Sequence, residues 1–122
     1  MPKWIDCIGY NISIYDFMLD YCKRVEKNAN VHLETKIFNM LLVHFEFMIN
    51  RISYLEENGI IPLIPNIQDK YKKAVRKCYK NQILAYSYNI EKNILTIEQI
   101  QEKLREIRAI DVDATIEFYN SI

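Results

Sequence analysis

The sequence predicts an all-α fold: a four-helix up-and-down bundle forming a single domain. Three observations carry that expectation. Apolar residues recur every three or four positions over most of the chain. Only 2 glycines and 3 prolines occur among 122 residues, too few for the tight turns of a hairpin-rich β fold. Half of the residues are hydrophobic, enough for one buried core at a length typical of one domain. We read residues 1–12 as a lead-in and residues 13–122 as the bundle.

The first helix is expected to open near Ser13, with Asp16 favourable to the helix dipole in its first turn. Ile14, Phe17, Met18, Tyr21, Cys22 and Val25 then form one apolar stripe. Lys27 to Asn30 reads as a connection. A second helix is expected from Val31 to Asn58, with Phe38, Leu41, Phe45, Met48, Ile52 and Leu55 alternating by three and four. Ile37, Leu42 and Ile49 widen that stripe, which predicts the central helix of the bundle, and Gly59 should stop it. The apolar connector from Ile60 to Pro65 should lie against the core.

Asn66 should cap a third helix whose buried face is Ile67, Tyr71, Ala74, Val75 and Cys78. The stretch from Lys80 to Asn93 reads as a junction, partly helical. Thr96 with Gln99 forms a capping box that opens the fourth helix, with Ile97, Ile100, Leu104 and Ile107 turned inward. Asp111 and Asp113 suggest a break or kink before Ile116, Phe118 and Tyr119.

Composition restricts the function classes. The 16 basic residues equal the 16 acidic ones, so overall charge points to no polyanion. Cys7, Cys22 and Cys78 are odd in number and far apart, which suits reduced core thiols rather than a disulfide framework. No secretory pattern precedes Tyr10 and no apolar run approaches a membrane span, so a cytoplasmic location without membrane contact is expected. His32 and His44 are the only histidines, and no metal-ligand spacing accompanies them, so neither a metal nor a cofactor is expected. There is no nucleophile elbow and no phosphate-cradling glycine loop.

One charge feature stands out. Lys70, Lys72, Lys73, Arg76, Lys77 and Lys80 run without an intervening acid. At about 100° per residue, Lys70, Lys73, Arg76, Lys77 and Lys80 share roughly a third of the helix circumference, opposite Tyr71, Val75 and Cys78. Such a face is either solvated or a binding site for RNA phosphates or an acidic protein surface, with Tyr79 and Tyr86 available to stack on bases.

The following segment, Lys80-Asn81-Gln82-Ile83-Leu84-Ala85-Tyr86-Ser87-Tyr88-Asn89, resembles the signature of HEPN domains, small four-helix proteins of prokaryotic defence and toxin–antitoxin systems. Lys80 takes the place of the family's arginine, Asn81 of its asparagine and Tyr86 of its histidine, with Ala85 and Ser87 as neighbours. The run Leu41 to Phe47, with Glu46, is similar to the second helix of several such domains. The resemblance implies a homodimer and a metal-independent ribonuclease site at a helix junction. Two departures bear on it. Tyrosine, with a pKa near ~10, cannot replace histidine as a neutral-pH acid or base. Lysine lacks the guanidinium fork. The implied function is therefore a non-catalytic binding module for RNA or a partner protein. A phage or bacterial inhibitory or immunity protein, and a weak ribonuclease using Lys80, Asn81 and Tyr86, are the alternatives.

Overall fold

The computed structural model describes the backbone of residues 3–28 and 31–122, and the side chains of residues 13–28 and 31–122. Four helices account for most of it: α1 (Lys3–Lys27), α2 (Lys36–Glu57), α3 (Ile67–Glu91) and α4 (Ile94–Ser121). The contacts between helices set their directions. Tyr15, Asp16 and Glu26 of α1 meet Asp111, Arg108 and Gln101 of α4, in reversed order along the chain. Lys70, Lys77 and Asn81 of α3 meet Glu117, Glu106 and Ile100 of α4 in the same reversed manner. Glu46 and Glu56 of α2 meet Tyr79 and Gln68 of α3. Each pair is thus antiparallel, and the four-helix up-and-down bundle is as expected. The central pair differs from expectation. It is α3 with α4, while α2 packs on α3 and α1 on α4.

Helix limits depart from the sequence reading on all four helices, and α2 begins at Lys36 rather than Val31. Helix α1 begins at Lys3, ten residues before Ser13. No proline lies between those positions, and the single Gly9 costs a helix only about 1 kcal/mol. Helix α3 runs unbroken through the expected junction to Glu91. Ile67, Tyr71, Ala74, Cys78, Asn81, Ala85 and Tyr88 are all buried, a single inward seam with alternating steps of four and three. Helix α4 is capped by Asn93, whose side chain accepts the Leu95 N–H at 3.0 Å, so Thr96 lies inside the helix and buried. It continues past Asp111 and Asp113 to Ser121 without a break.

The ends of α2 show why Gly59 is where it is. The Ile60 N–H donates to the Leu55 carbonyl and the Gly59 N–H to that of Glu56. This Schellman closure puts Gly59 at φ +66°, where a Cβ is unfavourable. Asn66 also adopts positive φ before α3 and caps through its carbonyl, which accepts the Lys70 N–H, rather than through its side chain. Of the connector, Ile64 is buried and Ile61 partly so, while Ile60 and Leu63 are exposed.

The core is continuous from Tyr15, Met18, Cys22 and Val25 on α1 through Phe38, Phe45 and Ile52 on α2 to the α3 and α4 seams. Burying each such large side chain contributes about 1.5–3 kcal/mol. The segment before α2, residues 31–35, is irregular rather than helical, and Leu33 is fully buried within it. Asn89 of α3 holds it there: its Oδ1 accepts the Leu33 N–H at 2.7 Å and its Nδ2 donates to the Leu33 carbonyl at 2.9 Å. Truncation in an Asn89→Ala variant would leave both backbone groups unpaired in a poorly hydrated place. We expect it to lower the unfolding free energy by about 1–3 kcal/mol, measured by urea denaturation.

Candidate functional site

The basic face of α3 is divided by its neighbour. Lys70 Nζ lies 2.8 Å from Asp113 and also pairs with Glu117, contacts that raise its pKa. Lys77 Nζ lies 2.7 Å from Glu106, and this hydrogen bond holds the Glu106 carboxyl below its usual range. Two of the five cations named from the sequence are therefore stitched to α4. Lys73, Arg76 and Lys80, with Lys72, are exposed and make no salt bridge among the described residues. This division was not legible in the sequence, because the acids sit 29 to 47 residues away along the chain.

Lys80, Asn81 and Tyr86 do not converge. Lys80 and Tyr86 are exposed, whereas Asn81 is buried and donates to the Ile100 carbonyl at 3.4 Å. Among the described residues its Oδ1 has no hydrogen-bond partner, and neither has the buried Tyr88 hydroxyl. Beside them runs a feature that the sequence reading missed. Tyr79, Ile83, Tyr86 and Ile90 form an outward seam in steps of four and three, with Ile83 67% and Ile90 83% exposed. Lys72 and Arg76 continue that seam toward the start of the helix. Next to it, Lys80, Ile83, Leu84, Gln99, Glu102 and Lys103 line a shallow groove between α3 and α4.

A second site lies between α1 and α2. Among the described residues these two helices scarcely touch, and the gap is a cleft of about 220 Å³. Ile14 and Met18 wall one side, Met40 and Leu41 the other, with His44, Tyr15 and Asp111 completing the lining. Asp111 is only 2% exposed. Its Oδ2 accepts the Tyr15 hydroxyl at 2.9 Å and its Oδ1 the Thr115 hydroxyl at 3.4 Å. Burial raises its pKa, against the opposing effects of the Tyr15 hydrogen bond, His44 and Thr115. Burial, followed by the Asp111 charge, pushes the Tyr15 hydroxyl far above the usual range. The sequence held a trace of this arrangement: Ile100, Leu104, Ile107, Asp111 and Ala114 are evenly stepped, so Asp111 occupies a core position.

Other chemistry is sparse. No group of three or more His, Cys, Asp or Glu side chains among the described residues could hold a metal. Cys22 and Cys78 are free and buried, and burial pushes both thiols up to about 12, away from nucleophilic thiolate. The side chain of Cys7 lies outside the described residues. Among the described residues no helix is long and apolar enough to cross a membrane.

A family model for the PRD domain matches residues 19–104, well over half of the chain. The chain belongs to the PRD family. No curated protein and no solved structure shows a significant match. The PRD match overturns the HEPN resemblance, and no HEPN model matches. The structure shows the physical reason: the segment compared with a helix-junction motif is the middle of an unbroken helix, with Asn81 turned into the core. The PRD match takes in α2, α3 and the outward seam, whereas Ile14, Tyr15, Met18 and Asp111 of the cleft lie outside it.

The raised pKa of Asp111 fixes a sign. Its contribution to stability is fully present below the unfolded carboxyl pKa of about 4 and is lost as pH rises through the higher folded value. An Asp111→Asn variant cannot ionise and should gain stability relative to the wild type as pH rises from about 4 to about 7. Urea midpoints for both proteins across that range check this, and a constant difference would refute it.

Proposed function

We propose that the chain is a regulatory binding module that docks a partner protein on the outward face of α3. PRD domains are helical regulatory and protein-interaction modules, which supports the general class. The observation that carries the finer reading is the outward seam. Four exposed cations without a salt bridge among the described residues, Lys72, Lys73, Arg76 and Lys80, adjoin four exposed apolar or aromatic residues, Tyr79, Ile83, Tyr86 and Ile90. Helical steps of four and three suit an amphipathic helix laid alongside. The fitting partner has a matching apolar stripe with acidic residues at the end that meets Lys72 and Arg76.

A protein suits this face better than RNA does. Phosphate recognition would use the cations and leave Ile83 and Ile90 in water, and Lys70 and Lys77 are already committed to carboxylates. A stacking role for Tyr79 is also weakened, because its hydroxyl donates to Glu46 at 3.2 Å. An inhibitory or immunity role would be one form of the same protein-binding activity.

A photo-crosslinking residue placed at Ile83 or Ile90 tests the reading in cells. It should give one defined protein adduct, absent when the probe stands at the exposed Asn50 of α2. Combined Lys73→Glu, Arg76→Glu and Lys80→Glu changes should cut the yield about tenfold or more, with the helical circular dichroism unchanged. Adducts to RNA or to a second copy of the chain, or a yield indifferent to the three reversals, would overturn it.

A further inference from the structure

We propose that the cleft between α1 and α2 is a binding site for a primary ammonium group carried on a short apolar stem, with Asp111 as its counter-charge. The observation that separates this cleft from an ordinary packing gap is what lies at its floor. Asp111 is a carboxylate almost wholly removed from water, in contact with an open cleft, and no lysine or arginine among the described residues pairs with it. Two neutral hydroxyls, from Tyr15 and Thr115, are its hydrogen-bond donors. A buried carboxylate without a cation is costly to keep ionised, and an entering cation would relieve that cost.

The walls define the rest of the ligand. Ile14, Met18, Met40 and Leu41 are apolar, and the methionines can adjust to a flexible chain. A cleft of about 220 Å³ admits a lysine-like stem and excludes a large ring system. The head group follows from the hydrogen bonds already made. Each Asp111 oxygen accepts one hydroxyl, so the paired edge that a guanidinium fork needs is partly occupied. An ammonium is a compact point charge and needs only a remaining lone pair. Two sources share this chemistry: a lysine side chain of another protein and a free alkylamine.

Nuclear magnetic resonance on the intact chain, with labelled methionine methyls, tests the site through Met18 and Met40. The probes are n-butylammonium, n-butylguanidinium, neutral n-butanol and a blocked tripeptide, acetyl-Ala-Lys-Ala-amide. Saturable shifts with butylammonium, at least about tenfold weaker with butanol, are expected, and Asp111→Asn should weaken the amine by about tenfold or more. Guanidinium should bind more weakly than ammonium. Binding of the tripeptide as well assigns the site to a protein lysine, and binding of the free amine alone assigns it to a small molecule.

A second readout needs no change at Asp111. Affinity for butylammonium should fall as pH is lowered and the carboxylate is protonated. The titratable groups facing Asp111 are Tyr15 from α1, His44 from α2, and Tyr71 and Cys78 from α3. Burial raises both tyrosines and Cys78, so they stay neutral throughout. A His44→Gln variant removes the imidazole that lines the cleft from α2, and the fall should persist in it. Equal shifts with butanol, no saturation, or an affinity indifferent to pH would overturn the proposal. These outcomes are independent of the α3 surface.

Discussion

The pairing of α3 with α4 places everything else in the bundle, because each remaining helix packs chiefly on one member of that pair. Its basis is two long inward seams. One runs from Ile67 to Tyr88 and the other from Ile97 to Ala114, both in alternating steps of three and four. Such seams keep one face of each helix against its neighbour over many turns. Lys70 and Lys77 then close the edge onto Asp113, Glu117 and Glu106. Those ion pairs are partly exposed and add little energy, but they set the orientation of the basic face.

Both candidate surfaces follow from this arrangement. Using one face of α3 for α4 and another for α2 leaves the seam of Tyr79, Ile83, Tyr86 and Ile90 without a helix over it. Placing α1 on α4 and α2 on α3 leaves those two outer helices apart, and the cleft is the space between them. Asp111 reaches that space because α4 lies behind both. The polar residues within the core seams, Asn81 and Asp111, are the points at which the inward pattern departs from simple hydrophobic burial.

Errors in the sequence reading have a common cause. Apolar periodicity locates a helix where the inward residues are wholly apolar, as in Phe38 to Ile52 or Ile97 to Ile107. It fails where asparagine, aspartate or a tyrosine beyond such a polar position takes the inward place. Asn81, Tyr88 and Asp111 therefore read as a junction or a break, although each occupies an inward position of a continuous helix. The same blind spot made a short motif around Asn81 look like a catalytic junction. Caps were legible where the residue was Gly59 and misleading at Thr96, because the helix already opens three residues earlier at Asn93, which accepts the Leu95 and Thr96 N–H groups.

The chain's own pattern determined that it would be all helical, that four helices would pack through apolar stripes, that Gly59 would end the second, and that one helix would carry a run of cations. These are local properties, set by residues within a few turns of one another. Which helices are central, which lysines are neutralised, and which carboxylate ends at the foot of a cleft were decided only by tertiary structure. Lys70 meets Glu117 across 47 residues, and Tyr15 meets Asp111 across 96. Periodicity specifies the face a residue occupies on its own helix, but the partner across that face is chosen by the packing of whole helices.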